Sequence, residues 1–304
     1  MFTNGPVRTN GMMPQGPGRP RLPGFHRLLS ADVRHDPETL LVVRGGAGGG
    51  AVQHGFETVE SVVREDILRS ERLLSCRLPG ATDLAERLVE SGVDHARDTL
   101  ASGRYSRELR RLLTSSLMEL AHASDAGALR TFTLVKPAWA VRGSQLICFD
   151  PQRIIRQLRH QLPVVRPEPG ETEFLFGQIH GEYDSRTDLF QLHMHGVCTG
   201  AYAEPLRQAA RELATTEVRK PLRLCRWNEE DGFRQLSYLT QSFWPHRPTI
   251  IVGEVVKRTR RKCRIPEPWA SEVLIWLDQQ TLGSMQLKLG LANNSYGFLV
   301  VNSS

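Results

Sequence analysis

The feature that most constrains this chain is a pair of long strand-like runs lying almost end to end. "EFLFGQIHGEYD" (173–184) and "LFQLHMHGVCTG" (189–200) are separated only by "SRTD". Two β-rich runs joined this closely favour an antiparallel hairpin. Side chains alternate across a strand, so His193 and His195 share one face, about 7 Å apart. On the partner run Gln178, His180 and Glu182 share a parity. If both sets occupy the same face, the hairpin offers two histidines and a carboxylate to one cation. Imidazole with carboxylate suits Mn, Mg, Zn or Fe. An ion with an open position can polarise a phosphate or carbonyl oxygen. A lone strand histidine is more often a half-buried residue held by hydrogen bonds. The pairing of His-x-His with His-x-Glu is what singles this hairpin out.

The surrounding pattern specifies the fold class. "LRTFTLVKP" (129–137) reads as a strand closed by proline, and "DPQRIIRQLRHQL" (150–162) as a helix capped by Asp150 with Pro151 at its first position. After the hairpin come a helix in "AEPLRQAARELATTEV", a strand in "PLRLCRWN" and a helix in "DGFRQLSYLTQSF". The order strand–helix–strand–strand–helix–strand predicts an α+β fold. It is that of a ferredoxin- or RRM-like antiparallel sheet with helices on one face. An amidohydrolase barrel also carries a His-x-His, but on its first strand, and too little chain follows here to build one.

Upstream, residues 56–125 read as a helical region. An apolar stripe runs through Val62, Val63, Ile67 and Leu68 to Leu73 and Leu74, Thr82 or Asp83 is a cap for a second helix, and Ser106 for a third. Residues 1–55, rich in Gly, Pro and Arg, read as a disordered tail or linker. The α+β domain spans 126–250, and 251–304 holds a basic segment and a C-terminal helix. "GGAGGG" lacks the Lys-Ser/Thr and the strand–helix setting of a phosphate-binding loop, which excludes nucleotide hydrolysis on that motif.

Lys plus Arg exceed Asp plus Glu by 39 to 33, for a net charge of +6. This mild excess is compatible with a polyanionic partner. Much of it is concentrated in "VVKRTRRKCR", where Lys257, Arg258, Arg260, Arg261, Lys262 and Arg264 form a cluster able to bind a phosphate backbone. Lys136 and Arg153 are placed to line the same sheet edge, and Trp227, Phe243 and Trp244 are candidates for base stacking, although core packing is the commoner fate of such aromatics. Five scattered cysteines without CxxC spacing argue against a disulfide framework or a zinc cluster. No apolar run reaches the roughly 18–20 residues of a membrane span, and the first residues lack a signal-peptide core. A cytoplasmic location without membrane association is the expectation.

With these residues in view, the chain resembles the HUH endonucleases, in which two histidines flank a hydrophobic residue. The nearer likeness is to plasmid and phage rolling-circle replication initiators and related transposases. "FTL" in "RTFTLVKP" is similar to the family's first motif. "HMH" matches its metal motif, preceded by "HGE" ending in Glu182. "SYLTQSF" lies where the family keeps its nucleophilic tyrosine on a helix. The likeness covers residues 128–250. It implies a divalent cation, Mg or Mn, held by His193, His195 and Glu182 against the scissile phosphate of single-stranded or origin DNA. It further implies that Tyr238 attacks to leave a 3′ hydroxyl and a 5′-phosphotyrosine. A phenol with a pKa near 10 needs such a cation to stabilise the charge that develops. Phage-type members carry Tyr-x-x-Lys-Tyr, whereas Gln241 and Ser242 stand here in place of the lysine and second tyrosine. Two readings therefore stand: a nicking enzyme using Tyr238, or a catalytically inactive DNA-binding protein on the same scaffold, a replication or regulatory accessory.

Overall fold

The computed structural model describes residues 42–43, 52–53, 59–90, 99–124, 128–163, 165, 172–214, 220–228, 232–241, 244–246, 248–252, 255–258, 263–294 and 297–300. Most of the expected tail lies outside these residues. Within it, β1 (Val42–Val43) and β2 (Val52–Gln53) pair antiparallel.

Three helices follow: α1 (Val59–Leu74), α2 (Ala81–Glu90) and α3 (Gly103–Ala123). The apolar stripe expected on α1 is rotated. Val62 and Leu73 are buried, but Ile67, Leu68 and Leu74 are exposed, and Asp66 and Ser70 turn inward. The cause is a carboxylate serving another helix. Asp66 accepts from Ser102 Oγ at 3.0 Å, from the Gly103 and Arg104 amides, and from Arg104 Nε at 3.1 Å. The first turn of a helix has N–H groups without intrahelical partners, and these acceptors satisfy them. The cap of α3 is Ser102, which receives the Tyr105 amide, rather than Ser106, which lies inside the helix. Likewise α2 begins at Ala81, so Thr82 and Asp83 fall within its first turn instead of capping it.

The centre of the molecule is a five-stranded antiparallel sheet in the order β6-β3-β5-β4-β9. Its strands are β3 (Arg130–Arg142), β4 (Leu175–Asp184), β5 (Leu189–Cys198), β6 (Leu222–Arg226) and β9 (Gln286–Leu289). The expected hairpin is β4–β5, with His180 opposite His193 and Gln178 opposite His195. At its turn Asp188 takes a positive φ of 52° and accepts from the Tyr183 hydroxyl at 2.9 Å; a short polar side chain tolerates that backbone better than most. Strand β3 continues past Pro137 to Arg142. Its other neighbour β6 pairs with residues 130–134, so among the described residues Pro137 has no ladder partner on that side and removes no ladder bond there. The register against β5 slips between Val135 and Ala140.

Helices α4 (Gln152–Gln161) and α5 (Ala203–Leu213) are the two crossovers. Asp150 accepts the Gln152 amide at 2.9 Å, and Pro151 is the residue just before α4. Ile154, Ile155 and Leu158 of α4 and Leu206, Ala209 and Leu213 of α5 pack on Phe132, Leu134, Leu192 and Met194. The same cluster takes in Leu84 and Leu88 of α2 and Val273 to Leu277 of α7 (Trp269–Gln279). Helices were expected on one face only, but α3 and α6 (Gly232–Leu239) lie on the other. There Leu113, Leu117, Leu236 and Leu239 cover Phe174, Phe176 and Val197, apolar residues that leave part of that face in need of burial. Two further ladders complete the fold: β7 (Thr249–Val252) with β8 (Val255–Arg258), and β10 (Leu291–Asn294) with β11 (Gly297–Val300). Among the described residues no helix is long and apolar enough to cross a membrane.

Candidate functional site

Strand register assembles the site before any side chain is considered. One row crosses the sheet from Arg223 on β6 to Thr133 on β3, His195 on β5, Gln178 on β4 and Gln286 on β9. The next same-face row holds Val135, His193 and His180. Directly paired residues point to one side of a sheet, so the three imidazoles share a face. It is the face opposite the crossover helices. The local sequence explains the arrangement: in "LHMH", Leu192 and Met194 fill the core at 0% exposure and the alternate histidines turn the other way.

The rings lie close together. His193 and His195 meet edge to face with centroids 4.6 Å apart, and their Nε2 atoms are separated by 3.1 Å. His180 stacks 6.1 Å from His193 and lies 5.1 Å from His195. Each of the two rings has a second partner, and for His193 that partner sets the tautomer. The Gln191 carbonyl can only accept, so His193 Nδ1–H donates to it at 3.2 Å and a neutral ring leaves its Nε2 lone pair facing His195. His195 Nδ1 is 2.8 Å from Thr133 Oγ1, a hydroxyl able to donate or accept. Without a cation, His195 Nε2–H can donate to His193. With one, Thr133 can accept from Nδ1–H and free both Nε2 lone pairs. Metal–nitrogen bonds of about 2.1 Å at tetrahedral to octahedral angles place cis donors roughly 3.0–3.4 Å apart, which brackets the observed separation. The donor pair therefore fits a cation.

The third expected donor is placed differently. Glu182 shares the face but pairs with Gln191, one step beyond His180 and His193, and it is half-buried. His180 is the residue beside the pair. Its Nε2–H donates to the Leu239 carbonyl at 2.7 Å, so this imidazole ties the sheet to the end of α6. Among the described residues no group of three or more His, Cys, Asp or Glu side chains is arranged to hold a metal ion.

Tyr238 sits one residue before that carbonyl. Its ring makes an edge contact with His195, with centroids 5.1 Å apart, and is 40% exposed. Helix α6 is held in place from α3 as well, by Arg110 Nε donating to the Ser237 carbonyl at 2.9 Å and by the Thr114 and Thr240 hydroxyls 3.2 Å apart. Beside Tyr238 a cavity of about 290 Å³ is lined by Thr131, Thr133, His195, Arg223 and Arg234, among others. Sequence reasoning singled out neither arginine. Arg234 precedes Tyr238 by one helical turn and Arg223 ends the His195 row, so helical spacing and strand parity were the signals available.

The basic segment divides. Lys257 and Arg258 lie on β8, and Arg260, Arg261 and Lys262 fall outside the described residues. Arg264 is engaged elsewhere: Glu65 of α1 grips it with bonds of 2.7 and 2.6 Å. Burial pushes the Glu65 carboxyl up, but Arg264 and Arg69 outweigh it and hold the group below its usual range. Of the candidate stacking aromatics, Trp244 is buried in the core, Trp227 is half-buried against Gly232, and Phe243 lies outside the described residues. Comparison of the chain with protein-family models, with curated proteins and with solved structures finds no match.

Proposed function

We propose that the protein is a metal-dependent endonuclease that nicks and rejoins single-stranded DNA in the manner of rolling-circle replication initiators. The observation that carries this reading is the meeting of two converging imidazole nitrogens with a tyrosine ring on one sheet face. The strand order β6-β3-β5-β4, with α4 and α5 as crossovers, supports a ferredoxin-like reading of the sheet, the scaffold that the resemblance implies.

His193 and His195 would hold Mg or Mn, and Glu182 or His180 could reach a third position only by a side-chain rearrangement. The bound cation supplies positive charge against a phosphodiester oxygen. Everything else belongs to the chain. Arg223 and Arg234 offer charge-assisted hydrogen bonds to the phosphate beside Tyr238. His180 holds the last turn of α6 and so keeps the tyrosine against His195. The Tyr238 oxygen forms the new bond to phosphorus as the bond from phosphorus to the 3′ oxygen breaks. The phenolic proton ends on that departing oxygen, giving a 3′ hydroxyl and a 5′-phosphotyrosine. No water enters, so the ester bond is conserved and the step can run backwards to rejoin the strand.

A second reading, DNA binding without nicking, is favoured by the engagement of His180 with Leu239 and by Gln241 standing where the family keeps a lysine. One experiment separates the two. Wild-type protein incubated with single-stranded DNA and Mn or Mg should form a covalent adduct that denaturing gels retain, and both His193→Ala and Tyr238→Phe should lose it. Salt-sensitive binding that ignores both substitutions, with no adduct, selects the second reading. No binding to any nucleic acid rejects both.

A further inference from the structure

A second cavity, larger than the one beside Tyr238, lies elsewhere on the sheet. About 570 Å³ opens along β3 beyond the point where β6 ends, and its wall includes Lys136, Trp139, Phe149, Arg153 and Gln157. Ala140 and Val141 also line it. The register pairs Ala140 with Gln191 and Val141 with Phe190, so these neighbours belong to opposite faces of the sheet. The lining of the pocket therefore draws on residues from both faces of β3. What creates it is the register slip between Val135 and Ala140, which lifts Lys136 to Trp139 out of the ladder.

The chemistry of the wall is specific. Lys136 and Arg153 bring two cations, and among the described residues no carboxylate lines the pocket and neither side chain has an ion-pair partner. The nearest acid by sequence, Asp150, is taken by Arg156 at 2.9 Å. Phe149, half-buried, supplies flat apolar surface, while Trp139 is buried beneath the pocket at 4% exposure and is held still by donating Nε1–H to Gln157 Oε1 at 3.1 Å. That bond leaves the Gln157 amide N–H groups for an acceptor on a ligand. A volume of several hundred cubic ångströms with an aromatic wall and a few polar groups suits one small organic molecule. A site lined by two cations selects an anion, and the Phe149 ring beside them selects a planar group.

We infer that this pocket binds a single nucleotide, with its base against Phe149 and its phosphate held by Lys136 and Arg153. The nucleotide can be part of a DNA strand or free in solution. The strand source rests on the nicking reading above and has a structural link to it: Gln191 Nε2 donates to the Lys136 carbonyl at 3.0 Å, and the Gln191 carbonyl holds His193. The pocket and the histidine pair thus meet at one residue. On this view the pocket holds a nucleotide flanking the scissile phosphate and sets the position of the strand over Tyr238.

The test compares the wild type with Lys136→Glu/Arg153→Glu, both at partly or fully exposed positions where the change leaves the core intact. Two probes are used: thymidine 5′-monophosphate by calorimetry and a fluorescein-labelled oligothymidylate by anisotropy across a salt series. If the strand is the source, the double variant binds the oligonucleotide with a log–log salt slope shallower by about 1.4, at roughly 0.7 per cation for single strands. If free nucleotide is the ligand, the monophosphate binds the wild type, the variant loses it, and oligonucleotide affinity stays put. Either result supports the pocket. Unchanged affinity for both probes overturns it, whether or not the protein cleaves DNA. Conversely, charge-sensitive binding in a protein that forms no tyrosine adduct keeps the pocket and removes the nickase.

Discussion

Replacing Thr133 by valine probes the link between the first strand of the sheet and the histidine pair. The two side chains are nearly isosteric, and Thr133 is half-buried, so the packing of β3 between β5 and β6 survives. What disappears is the hydroxyl 2.8 Å from His195 Nδ1. His195 is only 6% exposed, so water cannot readily replace the lost partner. A group that orients a ligating histidine in this way is worth about 10- to 100-fold in metal affinity, or about 1.4–2.7 kcal/mol. Burial of the imidazole argues for the upper part of that range. The assay is calorimetric titration of Mn into the wild type, Thr133→Val and Thr133→Ser. Serine restores the hydroxyl and should recover most of the affinity, while valine should not. Folding is monitored by thermal melting, where loss of one neutral hydrogen bond costs about 1 kcal/mol. Equal Mn affinity in wild type and valine variant would refute the idea that Thr133 governs the lone pair of His195. Absence of any Mn binding to the wild type would remove the cation itself.

Three other outcomes follow from the same geometry. His180→Ala deletes the bond to the Leu239 carbonyl and leaves that acceptor buried, at a cost of about 1–3 kcal/mol; adduct formation should fall with it while Mn titration is unchanged, whereas a ligating His180 would weaken Mn. Asp66→Ala strips the buried Arg104 of its carboxylate and the start of α3 of its acceptors, and denaturant melts should show a loss of about 3–5 kcal/mol. Glu65→Gln tests the pair with Arg264 by pH. Because the folded carboxyl is held below the ordinary 4.5, the pair stabilises above that value and fades as pH falls through the lowered pKa; with Arg264 half exposed and screened by solvent, urea melts near neutral pH should lose no more than about 1 kcal/mol, and acid melts nothing.

The parts of this molecule that were legible in its sequence are those governed by local alternation. The β4–β5 hairpin, the shared face of His193 and His195, and the order of strands and crossover helices all follow from period and turn length. What escaped was decided by partners distant in the chain. On α1 the apolar positions suggested one buried stripe, but Asp66 is drawn inward by the start of α3, 36 residues away, and the helix rotates to deliver it. Arg264 looked like a phosphate contact within a cationic run, yet a glutamate 199 positions earlier claims it. The edge strand β9 is four residues long, and only the exposed ladder of β4 turns "QLKL" into a strand. His180 was visible as a same-face residue, but its bond to a helix carbonyl could not be read from parity.

The division of the sheet into two unlike faces explains how histidines come to stand in its centre. Phe190, Leu192 and Met194 are wholly buried against the crossover helices and their neighbours. At about 1.5–3 kcal/mol for each large apolar side chain taken from water, the residues of this face secure the register of β5 by themselves. A one-residue slip would put the imidazoles into that core and the aliphatics out of it, so the alternation is strongly enforced. The opposite face is thereby released from most of the work of packing. Val197 and Phe176 still anchor α3 and α6 to it, which brings Tyr238 over the histidines, and the rows between them can carry polar groups. A sheet with both faces equally apolar would have no place for His193 and His195, and one with neither would not hold them 3.1 Å apart. Their separation is therefore a consequence of the core beneath them: shortening Leu192 or Met194 should loosen the histidine pair and weaken Mn binding, although neither side chain points to that face.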